Sequence, residues 1–382
     1  MYRYYLLAVL TQVAIAAYAP YIQIILRNKG YSYSLVGVII AVGQAAAILG
    51  PLVISSLTDR TGRTKPFLVL SALCALLLGI PFYLSSSVAV VVISIFLLDA
   101  FFWSLNPLSD GFLTRKLRGA KTGYGTLRAC GTFGYMTALT LFALTGFPDE
   151  SSNSSILICF SIFVLLFIAA ALLQKDDRRE RGKGKGKFFS FLWFSSSFYI
   201  FMMIVAFTRV GQSVVEKLLA SYMTEHLGLG SYFSLFIAIG ALCEFLCMLL
   251  FGRLLRKNRV TPAFLLFISA LGLTVRLLLY LIPSIWVFAL AQTLHGLTFG
   301  ALHVAATTYT ARTVSSEHYE MGMSIYWAVA TNLPELFGSL FGGFVIDRWG
   351  YPTLFVSYAV FPFIAAVLCI LLRKRISRTS SV

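Results

Sequence analysis

Twelve runs of apolar residues constrain this chain more than anything else in it. They cover roughly 4–26, 34–56, 66–84, 88–113, 123–146, 154–174, 190–222, 231–252, 261–281, 284–310, 320–345 and 352–373. A helix needs about 20 such residues to cross the hydrocarbon core of a bilayer. In lipid every backbone N–H and C=O must be satisfied within the protein, which leaves only helices and closed barrels. Runs of this length are too long for barrel strands. The expected fold class is therefore an all-α membrane protein with twelve transmembrane helices. Composition agrees: 58% of the 382 residues are hydrophobic and 12% are charged, about half the usual charged share of ~25%.

The net charge of +16 does not point to nucleic acid, because the bases sit in particular loops. Arg60, Arg63 and Lys65 follow the second run; Arg115, Lys116, Arg118 and Lys121 follow the fourth; Lys175 to Lys187 follows the sixth. Arg253, Arg256, Lys257 and Arg259 follow the eighth, and Arg373, Lys374, Arg375 and Arg378 form the tail. The alternate loops at 85–88 and 282–284 hold no base, and 147–153 carries Asp149 and Glu150. Basic loops stay on the cytoplasmic side. This predicts a multi-pass protein of the cell (cytoplasmic or inner) membrane with both termini cytoplasmic. All six cysteines lie inside apolar runs and read as small core hydrophobes, so neither disulfide nor metal site is expected. The first run reads as a retained span, not a cleaved signal. A monomer is the expected state.

The segment KDDRRERGKGKGK, after six runs, is charged and Gly-rich, the composition of a flexible linker. It divides the chain into a first bundle over 1–174, a basic cytoplasmic linker over 175–189 and a second bundle with a short tail over 190–382. The two parts resemble each other: YAPYIQIILRNKGYSYSLVGVIIAVG aligns loosely with LASYMTEHLGLGSYFSLFIAIG, matching Tyr21 with Tyr222 and Ser34–Leu35 with Ser234–Leu235. Parallel repeats of this kind build the two halves of one class of secondary transporters.

The loop after the second run reads Asp59, Arg60, Thr61, Gly62, Arg63, Thr64, Lys65, or D-R-x-G-R-x-K. Gly62 permits a tight turn. With twelve spans around it, this motif resembles the signature loop of the major facilitator superfamily. The resemblance implies two six-helix pseudo-repeat bundles and a gating role for Asp59, Arg60, Gly62 and Arg63. A solvated basic loop is the plainer account.

Ionisable residues inside spans are costly and mark functional sites unless paired. In the fourth run Asp99, Trp103, Asn106 and Asp110 recur at i, i+4, i+7, i+11, on one helix face; Pro107 would bend that face. In the fifth, Arg128, Thr132 and Tyr135 share a face. This stretch resembles the lactose permease and phenylpropionate permease branch of the superfamily. There a carboxylate and an Arg eighteen residues apart hold the solute, with an aromatic seven residues further on. Asp110, Arg128 and Tyr135 stand at that spacing. The branch has Glu and Trp where this chain has Asp110 and Tyr135, so the sugar itself does not carry over. An ion pair that only orders the fourth and fifth helices is the alternative.

In the second half Glu244, Arg276 and His295 follow the order and spacing of that branch's proton-coupling acid, Arg and His. AQTLHGLTFGALHVAATTY, with His295 and His303, is similar to its phenylpropionate members. Histidine titrates near neutral pH and a buried Glu can be brought toward it. Gln292 and Thr298 stand where the lactose permease has a Lys and an essential Glu. Glu244 therefore becomes the leading proton acceptor, with His295, Glu335 and Asp99 behind it. For His303 a satisfied contact inside the bundle is expected. Arg209, Gln212 and Glu216 share a face of the seventh run and read either as a cavity lining or as an ion pair within the helix. Gly338 and Gly342 form a G-x-x-x-G packing face in the eleventh, and Asp347–Arg348–x–Gly350 a capped turn after it.

The expected function is secondary active transport: proton-coupled symport, by alternating access, of a small polar or aromatic-acid solute into the cell. Its partners would be the solute, protons and lipid, without nucleic acid. The energy source would be the proton gradient, without a cofactor. Proton-coupled drug or metabolite efflux is the rival. No phosphate-binding G-x-x-x-x-G-K-[ST] loop occurs, and the histidines of the tenth run lack the spacing of a zinc enzyme. An enzyme is not expected.

Overall fold

A computed structural model describes residues 2–116, 124–175, 194–314 and 319–376. Every regular element among them is helical. Ten stretches are long and apolar enough to cross a membrane: α1 (Tyr2–Asn28), α2 (Tyr33–Thr58), α3 (Lys65–Leu84), α4 (Val88–Leu113), α6 (Asn153–Leu172), α7 (Ser196–His226), α8 (Phe233–Arg256), α9 (Pro262–Leu279), α10 (Ile285–Thr313) and Gly322–Leu371. The last holds two spans, α11 (322–349) and α12 (351–371), because Gly350 breaks it with φ 78° and ψ 175°. The remaining span, α5, is Tyr124–Thr145. The expected twelve helices are thus all present.

Their ends follow local chemistry. The hydroxyls of Ser32, Ser152, Ser195 and Thr261 accept from the backbone N–H three residues on and start α2, α6, α7 and α9. The helix of α2 runs on to Thr61, where Gly62 stops it in the left-handed region at φ 69°, its N–H on the Thr58 carbonyl. Lys65 Nζ donates to the carbonyls of Leu172 and Gln174 at 2.6 and 2.8 Å, closing the C-terminal end of α6. A proline ring inside a helix meets the carbonyl four residues upstream and can break the helix there. Pro20 does so in α1, whose first segment stops at Ala16. Pro107 does so in α4, which unwinds at Trp103–Ser104.

By internal packing the chain falls into two units, 1–185 with 229–238, and 186–228 with 239–382. Apart from Lys175, the expected linker 175–189 lies outside the described residues. In the first unit α1 packs on α5 and α6, and α4 on α2 and α3. Its core gathers Tyr18, Phe82, Phe102 and Phe160, with Tyr18 4.7 Å from Phe102 and 5.5 Å from Phe160 between ring centroids. In the second, α7 and α9 pack on the α11–α12 pair and α9 on α10. Phe201 stacks on Tyr309 at 3.9 Å inside its core. Leu77, Ile93, Leu144, Leu246, Phe341 and Ile370 stand exposed on outer faces, as lipid-facing side chains must.

Three helices of the second unit carry irregular turns close to their ionisable residues. Wide π-helical turns occupy Val214–Leu218 and Tyr222–His226 of α7, Gly296–Gly300 of α10 and Ile325–Asn332 of α11. Such turns re-aim side chains and concentrate at functional positions.

Candidate functional site

Arg276, on α9, is fully buried at 0% exposure. A buried guanidinium needs its N–H donors satisfied. Nε donates to the Tyr280 hydroxyl at 3.0 Å, Nη2 to Gln292 Oε1 at 3.0 Å, and Nη1 to Thr298 Oγ1 at 3.2 Å and to His295 Nδ1 at 2.8 Å. A guanidinium only donates, so Nδ1 of His295 must accept, and the neutral ring carries its hydrogen on Nε2. That nitrogen lies 3.4 Å from Glu244 Oε2 on α8. The Glu244 and His295 side chains are 23% and 18% exposed.

Close helix approach makes this geometry possible. A Cβ at residue 296 would collide with the Cys243 carbonyl, so only Gly296 lets α10 lie directly on the backbone of α8. Glu244 and His295 flank that contact. Glu244, Arg276 and His295, expected to act together, are thereby brought together. Gln292 and Thr298, which in the sequence only mark departures from a pattern, both accept from Arg276.

A second ionic cluster joins α7 to α11. Arg209, 2% exposed, faces Glu216 as a fork, Nη1 to Oε1 at 3.2 Å and Nη2 to Oε2 at 3.4 Å. Nη2 also donates to Glu335 Oε1, and Lys217 Nζ lies 3.9 Å from Glu335 Oε2. Of the two readings of α7, the ion pair within the helix is present, and it is half of a network whose other half comes from α11. Gly338 permits the approach: a Cβ there would collide with the Ser213 hydroxyl. The Arg209 guanidinium sits 5.1 Å from the centroid of Phe299 on α10. Phe299 in turn stacks between His295 and His303, at 5.7 and 6.0 Å and within 2° of parallel. This ladder connects the two clusters. His303 bonds the Tyr326 hydroxyl at 2.9 Å, a contact inside the bundle as expected.

In the first unit α4 presents its polar residues to α1. The Tyr18 hydroxyl donates to Asp99 Oδ1 at 2.6 Å in the aromatic core, and Gln12 Nε2 to Asn106 Oδ1 at 3.2 Å. Trp103, at the break, is half-buried with its ring edge-on to Phe102. Asp110, Thr132 and Tyr135 are half-buried as well. Arg128 lies on α5, but its side chain falls outside the described ones, as does that of Asp59. Arg60 and Arg63 are exposed beside the Gly62 turn. Among the described residues no group of His, Cys, Asp and Glu is arranged to hold a metal ion.

The chain matches the model of the MFS_1 like family over residues 4–357. The chain belongs to that family, within the major facilitator superfamily. This facilitator is 23% identical over 370 residues to a maltose permease of Geobacillus stearothermophilus, covering 95% of this chain and 92% of that permease. It is 22% identical over 346 residues to a probable 3-phenylpropionic acid transporter of Escherichia coli K12, covering 90% of each. Its fold superposes on a crystal structure of the nucleoside transporter NupG with a TM-score of 0.84 at 12% identity, covering 97% of this chain and 99% of the other. The facilitator is a multi-pass secondary transporter for a small-molecule substrate, and not an enzyme.

Sequence reasoning passed over part of the facilitator's polar interior. Tyr280 carries no charge and reads as an ordinary core aromatic, yet its hydroxyl accepts from Arg276. Its one signal is the i+4 spacing from Arg276, which puts both on one helix face.

Proposed function

We propose that this facilitator takes up a small polar or aromatic-acid solute by proton-coupled symport, in alternating access powered by the proton gradient. The single observation that carries the reading is the Arg276–His295–Glu244 line: the guanidinium bonds one nitrogen of the imidazole, and the other nitrogen lies 3.4 Å from the carboxylate. Glu244 is the group that takes up the proton. The His295 Nε2–H faces the carboxylate when it is ionised, and Arg276 holds the ring in that tautomer. Asp110, Arg128, Thr132, Tyr135, Asn106 and Trp103 make up the solute site, and Asp59, Arg60, Gly62 and Arg63 the cytoplasmic gate. The protein works as a monomer in the cell membrane with both termini cytoplasmic.

The relatives indicate which solutes to offer, since one is a maltose permease and another a probable 3-phenylpropionic acid transporter. Sugars, nucleosides and aromatic acids are added to proteoliposomes of the wild type and of Glu244→Gln while external pH is followed. One class alkalinises the medium with the wild type and not with the variant. If no class does, and apolar cations drive proton counterflow instead, the protein is an efflux antiporter.

A further inference from the structure

The Arg209 network contains one more carboxylate than its guanidinium requires. A buried Arg with a single partner cannot lose that partner's charge without being left unpaired in a low-dielectric interior, which is strongly unfavourable. Arg209 has two. Glu216 is bound through both oxygens, and Glu335 through one, with Lys217 at 3.9 Å from the other. We propose that Glu335 is a second proton-binding site of the transporter, taking up a proton while Arg209 stays held by Glu216.

The charges balance. Arg209 and Lys217 against Glu216 and Glu335 sum to zero when all four are ionised. Protonation forms one O–H bond on the Glu335 carboxylate and breaks no other covalent bond. The cluster then carries one positive charge, and Arg209 keeps its fork on Glu216. Protonating Glu216 instead would weaken two charge-assisted bonds at once, so Glu335 is the site of exchange.

The network also leaves buried polar atoms without well-formed bonds. Gln212 is 1% exposed and lies beside the Glu216 carboxylate, yet neither its Nε2 nor its Oε1 makes a hydrogen bond of normal geometry; Arg209 Nε makes none. A poorly seated amide beside the carboxylates fits a cluster that rearranges when its proton count changes.

The groups around Glu335 are these. On α7 stand Arg209, Glu216 and Lys217, and on its own helix Tyr326. On α10, His295 lies near Glu216 and His303 bonds Tyr326. Arg276, on α9, is engaged with α10 and Tyr280. The Tyr358 hydroxyl, on α12, donates to the Gly338 carbonyl. None replaces Glu216 as the second partner of Arg209.

The use of this site in transport rests on the symport reading, but protonation is measurable without it. Infrared difference spectra of the reconstituted protein between acid and alkaline pH report the C=O stretch of a protonated carboxyl group. The wild type and Glu244→Gln should show a band that Glu335→Gln lacks. If Glu335→Gln does not fold, Glu335→Asp serves, with the band displaced rather than lost. A band set identical in the wild type and the foldable Glu335 variant overturns the proposal. In vesicles, Glu335→Gln should keep solute exchange and lose proton-driven accumulation about 5–150-fold. Unchanged accumulation also overturns it, leaving coupling to Glu244 and His295 alone. A wild type that moves no protons with any solute, but shows the Glu335 band, supports the proton site and refutes the symport reading instead.

Discussion

Nε2 of His295 stands 3.4 Å from Oε2 of Glu244, while the opposite ring nitrogen accepts from Arg276 at 2.8 Å. The Arg thus decides which face of the imidazole carries hydrogen, and the helix contact at Gly296 decides that this face meets the acid. Replacing His295 with Phe should keep the ring and remove both contacts. Proton-driven accumulation should fall about 5–150-fold, the span of ordinary coupling free energies, while solute exchange at equal pH survives. Paired uptake and exchange assays measure both.

Arg276 tests how far that network is structural. Arg276→Lys keeps the charge but loses the planar fork that reaches Tyr280, His295, Thr298 and Gln292. Each buried acceptor left unpaired costs about 1–3 kcal/mol. The variant should unfold at clearly lower temperature in detergent. Cys159 and Cys369 are buried and unbridged, so a thiol-reactive dye followed on heating reads the transition.

Gly296→Ala changes no polar group, yet its methyl would strike the Cys243 carbonyl. Overpacking should cost about 1–3 kcal/mol and push α10 away from α8. Coupling should weaken as in Glu244→Gln. A variant that accumulates solute normally would separate the helix contact from the proton site.

Glu150 lies in the loop between α5 and α6, outside the spans. Burial, reinforced by the adjacent Asp149 charge, pushes its carboxyl up from 4.5 to about 8. The folded state therefore holds this proton more tightly than the unfolded chain does. Its contribution to stability is complete below pH 4.5 and is lost as pH rises through about 8. Glu150→Gln should flatten the decline of the unfolding temperature between pH 5 and 8, as measured in a series of buffered melts. An unchanged slope would assign the decline to other groups.

Tyr18 and Asp99 offer a test in the first unit. Tyr18→Phe removes the 2.6 Å donor from a carboxylate that is 3% exposed, at a cost of about 1–3 kcal/mol. In a double-mutant cycle with Asp99→Asn the two losses should not add, because the residues are in direct contact. Additive losses in thermal melts would show that the bond contributes nothing of its own.

Much of this was legible beforehand. Run length and charge placement indicate twelve spans, and Pro20 and Pro107 mark breaks that the helices show. Glu244, Arg276 and His295 could be singled out because each is an ionisable residue inside an apolar run. The Arg209–Glu335 bond was not readable. The partners are 126 residues apart, and Arg209 already had an acid on its own helix face. The same limit explains Gln292 and Thr298, whose neutral side chains acquire their role only from the guanidinium they surround.

The sequence by itself determined that this protein spans a bilayer as helices, where those helices start and bend, and which buried residues are ionisable. Those are consequences of local composition, because apolar runs of this length satisfy their backbone in lipid only as helices. Only the tertiary structure decided which acid meets which base. That pairing depends on how closely two helices approach. Here the approach is set at single points, Gly296 against Cys243 and Gly338 against Ser213, where the absence of a side chain lets one helix lie against the next.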